Sequence, residues 1–254
     1  MNKFSIITAT FNSDNFLSNN LKSVSSQNFL PYEHIFIDNS SKDKTLKIIN
    51  SYKKKVPYKV IIISKKDKGI YFAFNKGLRI SSGNYISYLN SDDYFYNKNT
   101  LRDINSVLLK KKYDIIYGNV KIIDRFSKNK KIIRDWKSSK VLEDYYKIAH
   151  PSFFISSEIK RVGLFDIKFR IASDLDFIIR SFNYSKCVFF YNRYLVYQRT
   201  GGESQKIINI VYSIAEVYKI LIKNKIKNKL FFIIKKLLYK IFQLRIINFF
   251  LNKI

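Results

Sequence analysis

The segment Phe4-Ser5-Ile6-Ile7-Thr8-Ala9 begins a pattern in which a short apolar run ends in polar residues and is followed by a helical pattern. The pattern recurs as far as about Gly118, so strands and helices are expected to alternate. The runs predicted as strands are residues 4–9, 34–37, 60–63, 85–89 and 114–117. The runs predicted as helices are residues 15–26, 44–53, 72–81 and 100–111.

This alternation favours an α/β fold, with a mainly parallel sheet that is covered by helices on both faces and joined by right-handed crossovers. After Gly118 the pattern becomes mixed. Residues 120–124 and 131–134 alternate in polarity around a polar turn, which predicts a hairpin. Residues 173–182 are predicted as a helix, and residues 187–191 and 194–198 as strands.

The composition excludes several classes of protein. The 254 residues are 46% hydrophobic and 17% aromatic, which is enough for a sizeable core and excludes a disordered basic chain. A single cysteine, Cys187, excludes a disulfide framework and a cysteine-based zinc site, and two histidines are too few for a histidine-rich metal centre. Any metal is therefore expected on oxygen ligands. The sequence contains neither a P-loop nor a glycine motif for dinucleotides.

The formal net charge is +28, because 47 Lys and Arg face 19 Asp and Glu. A large positive charge is typical of nucleic-acid binders, but here Lys, Ile, Asn, Tyr and Phe are abundant together, as AT-rich coding tends to produce. We therefore expect no specific nucleic-acid partner. The distribution is more informative, since residues 205–254 hold ten Lys and Arg245 against Glu216 alone.

Polar loops follow the first four predicted strands. In open α/β sheets, ligands bind outside the carboxyl ends of the strands, so four such loops at one edge favour a ligand site. The alternative is that each polar side chain only caps the helix that follows it. The loops are Thr10-Phe11-Asn12, Asp38-Asn39-Ser40-Ser41, residues 64–69 and Asn90-Ser91-Asp92-Asp93.

Two of these residues, Asp92 and Asp93, are adjacent carboxylates at a predicted strand end. Mg²⁺ and Mn²⁺ prefer carboxylate oxygens and keep positions open for a diphosphate. A metal ion here could offset the charge that grows on a leaving diphosphate. The alternative is an ordinary turn or helix cap.

The order and spacing of these segments resemble family 2 inverting glycosyltransferases with the GT-A fold. Residues 5–12 resemble the opening strand of that family, and residues 34–45 resemble its V-D-G-x-S-x-D-x-T segment. Residues 67–77 resemble D-x-G-I-Y-D-A-M-N-K-G, and residues 83–93 resemble the metal motif G-x-Y-I-x-x-L-[DN]-S-D-D. Acceptor-side motifs of bacterial polysaccharide enzymes are similar to residues 150–154, 165–166, 172–177 and 201–204. The resemblance spans roughly residues 3–204.

The resemblance implies a role for individual residues. Asp92 would bind Mn²⁺ or Mg²⁺ beside Asp93, and Asp174 would be the general base that removes the proton of the acceptor hydroxyl. A helix cap is the alternative for Asp174, and Asp176 ranks second as the base. The residues implied to hold the uridine diphosphate part of a nucleotide sugar are Thr10, Phe11, Asp38 and Asp67, with Asn12, Asn90 and His150 as further candidates.

The chain departs from the family pattern at two positions. Asn90 replaces the first Asp of the usual D-x-D, and Phe72 replaces the Asp that commonly follows Ile-Tyr. By the resemblance, the first change lowers the charge around the metal, and the second leaves open the sugar contact that the family makes at that position. Two further features each allow two interpretations. His150 either contacts the diphosphate or the acceptor, or it is a buried ring. Gly201-Gly202 either belongs to a loop that closes over the donor, or it forms a turn.

The basic C-terminal part has apolar residues at helical spacing, from residue 207 to 217 and again from 230 to 242. We therefore divide the chain into a catalytic domain, residues 1–204, and a basic amphipathic helical tail, residues 205–254. A cationic helix with Phe and Leu on its other face suits an anionic membrane surface. The alternative is that these helices pack on the catalytic domain.

The sequence thus predicts an enzyme that transfers a sugar, from a donor expected to be UDP-linked, to a hydroxyl of a lipid-linked bacterial glycan. No signal peptide or long uncharged stretch is present, so we expect a cytoplasmic protein that is peripheral on the inner face of the plasma membrane. The alternative is a catalytically inactive GT-A-fold protein that binds anionic lipid or nucleic acid.

Overall fold

A computed structural model describes residues 1–125, 132–138, 144–201 and 207–238. The strands are β1 Phe4–Thr10, β2 Glu33–Asp38, β3 Lys59–Ser64, β4 Tyr85–Tyr88, β5 Tyr94–Phe95, β6 Ile115–Ile123, β7 Ile132–Trp136, β8 Phe153–Ser156 and β9 Val188–Arg199. The helices are α1 Leu17–Ser25, α2 Thr45–Lys53, α3 Ile70–Ile80, α4 Thr100–Lys110, α5 Ser173–Tyr184 and α6 Ile207–Lys223. Residues 229–238 form a further helix, α7.

The strands form one sheet in the order β3-β2-β1-β4-β8-β6-β9-β5, with β7 paired to β6. The pairs β3-β2, β2-β1 and β1-β4 are parallel, which confirms the α/β prediction for the first four strands. Their carboxyl ends therefore lie at one edge of the sheet. Strand β8, which the sequence pattern did not indicate, lies antiparallel between β4 and β6.

The later strands differ in detail from the prediction. Strands β6 and β7 pair antiparallel, so the predicted hairpin is confirmed. The two short strands predicted over residues 187–191 and 194–198 are one continuous strand, β9. The register of β9 against β6 shifts near Asn119. This irregularity interrupts the alternation of polarity in β9, but β9 remains paired with β6 on both sides of it.

Four polar residues inside the buried strands β1 and β2 have hydrogen-bond partners. Ser5 Oγ donates to Glu33 Oε1 at 2.6 Å, and His34 Nε2 lies 3.0 Å from Thr8 Oγ1. His34 Nδ1 lies 3.0 Å from the Tyr52 hydroxyl. Because every one of these groups has a partner, polar residues are tolerated in strands that are otherwise apolar.

Helix α3 packs directly on β1, which places the segment of residues 67–77 beside the first strand. A Cβ on Gly77 would lie 2.5 Å from Ile7 Cγ2, so this close approach requires glycine. Tyr71, Phe74 and Leu78 of the same helix are buried in the main core with Ile7.

The predicted tail divides into three parts. Helix α6 packs on the preceding α/β part, since Val217, Ile220 and Leu221 are buried in the same core cluster as residues of α5. In α7, Phe232 is buried, whereas Leu230, Phe231, Ile234 and Leu238 are exposed. Residues 239–254 lie outside the described part of the chain. No helix in the described ranges has the length and apolar character needed to span a membrane.

Candidate functional site

The polar loops at the carboxyl ends of β1 to β4 form one continuous hydrogen-bonded edge. The backbone N–H of Asn39 donates to Thr10 O at 2.9 Å, and the N–H of Asp67 donates to Asn39 Oδ1 at 2.6 Å. The hydroxyls of Ser13 and Ser91 are 3.0 Å apart, which joins the first loop to the fourth. The structure therefore brings together the loops in which the sequence predicted a ligand site.

Asp38 lies fully buried beneath this edge. Its Oδ1 accepts hydrogen bonds from the hydroxyls of Thr10, at 3.0 Å, and of Ser41. Its Oδ2 accepts from the Ser41 N–H at 2.9 Å and from Ser64 Oγ at 2.7 Å. Asp38 thus ties three loops together, and a ligand would have to replace one of these bonds to reach its carboxylate.

Asn12 is hydrogen-bonded within the loops, whereas the ring of Phe11 is exposed. The Asn12 N–H donates to Ser41 Oγ, and its side-chain Oδ1 accepts from the Lys42 N–H, both at 2.9 Å. Asn12 holds a positive φ of 46°, and Ser40 opposite has 52°, a conformation that non-glycine residues seldom adopt. The ring of Phe11 is 59% exposed, so it can offer a flat apolar surface to a ligand.

Asp67 precedes helix α3, and its side chain is almost completely buried. Its Oδ1 accepts from the Gly69 N–H at 3.1 Å, and its Oδ2 lies 3.5 Å from Lys76 Nζ. Gly69 has a φ of 138°, which glycine adopts readily and other residues rarely do. The segment around Asp67 is therefore a fixed turn that leads into α3.

Asp92 forms an ion pair that the sequence did not indicate. Arg125 Nη1 lies 3.2 Å from Asp92 Oδ2, and the same guanidinium stacks over the Phe16 ring at 4.5 Å. Arg199 also lies over Phe16, at 5.4 Å. Burial raises the pKa of Asp92, and the charges of Arg125 and Arg199 oppose that shift.

Asp93 points into the protein, unlike its neighbour. It is 1% exposed, and its two oxygens accept hydrogen bonds from Asn90 Nδ2 at 2.9 Å and from the Arg199 N–H at 3.0 Å. Burial raises the pKa of Asp93 well above its usual value, and the charge of Asp92 adds to this. Asp93 therefore joins β4 to β9.

Two metal arrangements can be considered: one built on both Asp92 and Asp93, and one in which one or two carboxylates hold the ion together with substrate phosphates. Among the described residues, no three His, Cys, Asp or Glu side chains lie close enough to hold an ion by themselves. Asp92 is accessible, and Asn90 Oδ1 is buried without a hydrogen-bond partner in the described structure. Mg²⁺ is often held by one or two carboxylates together with substrate phosphates. The donor set fits that arrangement and does not fit a site built on both aspartates.

Asp174 is the second residue of α5 and lies half-buried, with its Oδ1 accepting the Leu175 N–H at 2.8 Å. His150 is buried nearby, with its ring centroid 5.2 Å from that of Phe74 and 5.3 Å from that of Tyr88. Burial lowers the pKa of His150, and the charge of Asp174 opposes this shift. His150 Nε2 has no hydrogen-bond partner within the described ranges. His150 is therefore a buried ring next to the candidate base.

Asp176, the second-ranked base, is fully buried and occupied. Its carboxylate accepts from Arg180 Nε at 2.8 Å and from Asn224 Nδ2 at 3.0 Å. Lys223 Nζ lies 3.1 Å from its Oδ1. As expected from its position on the helix, Asp176 faces away from Asp174.

Arg125 also lies in this region, although it belongs to no motif in the sequence. Arg125 follows the end of β6, and its guanidinium donates to the carbonyl oxygen of Gly201 at 3.4 Å. Gly201 has a φ of 86°, and Gly202 lies outside the described residues. Tyr71, in the segment of residues 67–77, donates from its hydroxyl to Ile171 O at 2.9 Å, close to Asp174. These contacts cannot be predicted from local sequence patterns, because the partners are far apart in sequence.

The chain was compared with known families and proteins. The family model for glycosyl transferase family 2 matches residues 5–173. A PGL/p-HBAD biosynthesis glycosyltransferase of Mycobacterium bovis is 28% identical over 213 residues, which cover 81% of this chain and 80% of that protein. The poly(ribitol-phosphate) beta-N-acetylglucosaminyltransferase TarS of Staphylococcus aureus is 31% identical over 123 residues, or 48% of this chain and 21% of TarS.

Solved structures with a similar fold include TarS 1-349 of S. aureus in complex with UDP-GlcNAc, with a TM-score of 0.67 and 20% identity. The match covers 87% of this chain and 66% of that one. The mannosyltransferase PcManGT of Pyrobaculum calidifontis, in complex with GDP-Man and Mn²⁺, has a TM-score of 0.61 and 14% identity over 85% of this chain and 61% of that one. The present chain thus spans less than two thirds of these solved chains.

Proposed function

Because the chain belongs to glycosyl transferase family 2 and has the GT-A fold, we propose that it transfers a sugar from a nucleotide-diphosphate donor to an acceptor hydroxyl with inversion. Family and fold agree with the resemblance found in the sequence. The observation that supports the proposal is that the four polar loops after β1 to β4 lie at one edge of the sheet, with Asp174 near Tyr71, which follows the third of these loops.

A UDP-linked donor is the proposed substrate. The TarS structure with the similar fold holds UDP-GlcNAc, and the loops of this chain offer an exposed ring at Phe11 beside the polar groups around Asp38. An aromatic face can stack on a base, while the hydrogen-bonded loops present polar groups to the rest of the nucleotide. These features support nucleotide binding without identifying the sugar.

The proposed transfer is a single displacement. The acceptor oxygen attacks the anomeric carbon, its proton passes to the Asp174 carboxylate, and the bond from the anomeric carbon to the phosphate oxygen breaks. The nucleoside diphosphate leaves with the electron pair of that bond. No covalent intermediate on the protein is required, so one base is sufficient.

Positive charge near Asp92 would stabilise the departing diphosphate. Arg125 and Arg199 both lie within contact distance of Phe16 at this position, and guanidinium groups suit bidentate phosphate contacts. A bound Mn²⁺ or Mg²⁺ would supply further charge compensation. Asp92 would hold it, with Asn90 as the neighbouring oxygen donor, once Arg125 has moved away from Asp92.

The proposed acceptor is a lipid-linked glycan at an anionic membrane surface. Exposed Leu230, Phe231, Ile234 and Leu238 lie on α7 together with Lys235, whose ammonium is 4.3 Å from the centre of the Phe231 ring. Apolar and cationic groups on one short helix suit the boundary between head groups and acyl chains. We propose that α7 holds the enzyme at the membrane surface where such an acceptor resides.

The test measures donor binding and transfer separately. Thermal unfolding of the purified protein is followed with UDP, GDP and CDP, with and without Mn²⁺, and UDP-sugars are then screened for release of UDP. The variant Asp174→Asn should keep the UDP-induced shift and lose turnover, because the residue acts on the acceptor proton. Asp103→Asn, on α4 away from the loops, is the control and should retain both. The absence of a shift with every nucleotide in the folded protein would contradict the proposal.

A further inference from the structure

A carboxylate of helix α6 holds the segment that carries Asp174. Glu216 Oε1 accepts a hydrogen bond from the backbone N–H of Arg170 at 2.7 Å. Glu216 Oε2 accepts from the N–H groups of Ile171 and Ala172, both at 2.9 Å. Glu216 is the acidic residue that stands alone among the basic residues of the predicted tail.

Glu216 holds the backbone that leads into α5. Ala172 is the N-cap residue of α5, and no side chain makes a cap hydrogen bond there. The three N–H groups that Glu216 accepts belong to the residues immediately before the helix and not to its first turn. Here a residue 44 positions away supplies a charged acceptor immediately before the helix begins. Hydrogen bonds to an ionised acceptor are roughly twice as strong as neutral ones.

A second bond fixes the same segment from the donor side. Tyr71 donates its hydroxyl to Ile171 O, while Glu216 accepts the Ile171 N–H. The peptide groups on both sides of Ile171 are therefore held, one by α3 and the other by α6. The charges of Asp174 and Glu216 both contribute to raising the pKa of Tyr71, after burial, which places both carboxylates near its hydroxyl.

The contact to α6 continues on the other side of Asp174. Asn224 and Lys223 bond to the buried carboxylate of Asp176, two residues after the base. Val217, Ile220 and Leu221 pack in the same core cluster as Leu175 and Ile178 of α5. Helix α6 thus stays docked through apolar packing and Asp176 even when the contact at Glu216 is lost, so the contribution of Glu216 can be measured separately.

We propose that Glu216 is a positioning residue, which fixes residues 170–172 from α6 and thereby sets the orientation of Asp174. The inference rests on the proposed function of Asp174 as the base. A general base must lie within hydrogen-bond reach of the proton it removes, and a displacement of about 1 Å can cost about 100-fold in rate. Glu216 is not expected to touch donor or acceptor.

The experiment compares Glu216→Ala and Glu216→Gln with the wild type. The rate of UDP release is measured with UDP-glucose, UDP-galactose and UDP-GlcNAc, with water as the acceptor. Glu216→Ala should lower kcat by about 10- to 100-fold while the donor KM stays unchanged, because the donor loops are not altered. Glu216→Gln should lie between Glu216→Ala and the wild type, since its amide oxygen still accepts hydrogen bonds.

The control is Ile220→Val, which weakens the packing of α6 without touching Glu216. If Glu216→Ala lowered kcat only because the protein is less stable, Ile220→Val would lower kcat to the same extent for the same loss of melting temperature. Equal kcat values for the two variants would therefore overturn the inference.

A second readout does not depend on turnover. Amide hydrogen exchange at residues 170–175 should become faster in Glu216→Ala, while exchange in β1 and β2 stays as in the wild type. Unchanged exchange at residues 170–175 would overturn the inference whatever the activity. Absence of UDP release by the wild type counts against the proposed function alone, and the exchange result then decides the inference.

Discussion

Arg125 donates a hydrogen bond from Nη1 to Asp92 Oδ2 at 3.2 Å, so a guanidinium occupies one oxygen of the carboxylate that is proposed to meet a metal ion. A divalent cation that bound at Asp92 would therefore have to displace Arg125 in the nucleotide-free protein. The two side chains are partly exposed, 28% for Arg125 and 21% for Asp92, so solvent screens their attraction.

We predict that Arg125→Ala binds Mn²⁺ more tightly than the wild type when no nucleotide is present. The gain should be about 1.4- to fivefold, because partly exposed ion pairs contribute about 0.2–1 kcal/mol. Isothermal titration with Mn²⁺ measures it. Arg102→Ala, which removes an equal charge from an exposed pair with Asp103, is the control. Weaker Mn²⁺ binding by Arg125→Ala would contradict the competition.

Adjacent aspartates should respond differently to removal. Asp93→Ala leaves the Asn90 side chain and the Arg199 N–H without their acceptors, so it should lower the free energy of unfolding by about 2–4 kcal/mol. Asp92→Ala should change it by less than about 1 kcal/mol, since burial already disfavours the charged form of Asp92. Urea denaturation of the two variants checks this, and equal losses would contradict the assignment.

His34 should make stability depend on pH. Burial lowers its pKa from 6.5 to about 3, so the imidazole stays neutral in the folded protein and is protonated in the unfolded chain below about pH 6.5. The unfolded state then binds more protons, and stability falls as pH falls from about 6.5 towards 3. At about pH 5 the loss from His34 should be about 2 kcal/mol.

The matched comparison for His34 is His34→Gln, which does not titrate. The variant should be less stable near neutral pH, because it cannot reproduce both hydrogen bonds, and the difference from the wild type should shrink by about 2 kcal/mol towards about pH 5. Asp92 and Asp93, whose raised pKa values act in the opposite direction, are common to both proteins and cancel in the comparison. A difference that does not vary with pH would contradict the expected titration of His34.

Membrane binding should depend on the exposed face of α7. The double substitution Leu230→Glu and Phe231→Glu should reduce co-sedimentation with phosphatidylglycerol vesicles by at least about 10-fold, because burial of one such side chain contributes about 1.5–3 kcal/mol. Tyr212→Glu, at a 62% exposed position of α6, is the control. Binding that is retained by the double variant would contradict the role of α7.

Local sequence determined the first half of the fold and the general position of the site. The strands β1 to β4 are apolar runs whose length and flanking residues are visible without tertiary information, and their parallel pairing follows from the helices between them. The polar loops that contain Asp38, Asp67 and Asp92 could be assigned to one edge for the same reason. Strand β8 could not be predicted, because four residues after a short 3₁₀ turn give too little pattern.

Tertiary structure decided what each polar side chain does. Asp92 and Asp93 are adjacent and chemically identical, yet one meets Arg125 and the other is buried between Asn90 and β9. In the same way, Asp174 and Asp176 share one helix turn, and Asp176 is distinguished by its contacts to Arg180 of α5 and to Lys223 and Asn224 at the end of α6. Glu216 reaches residues 170–172 across more than forty positions of sequence. Such pairings depend on how the elements pack in space. Strand and helix patterns depend on neighbours along the chain, and these local patterns are what the sequence reveals.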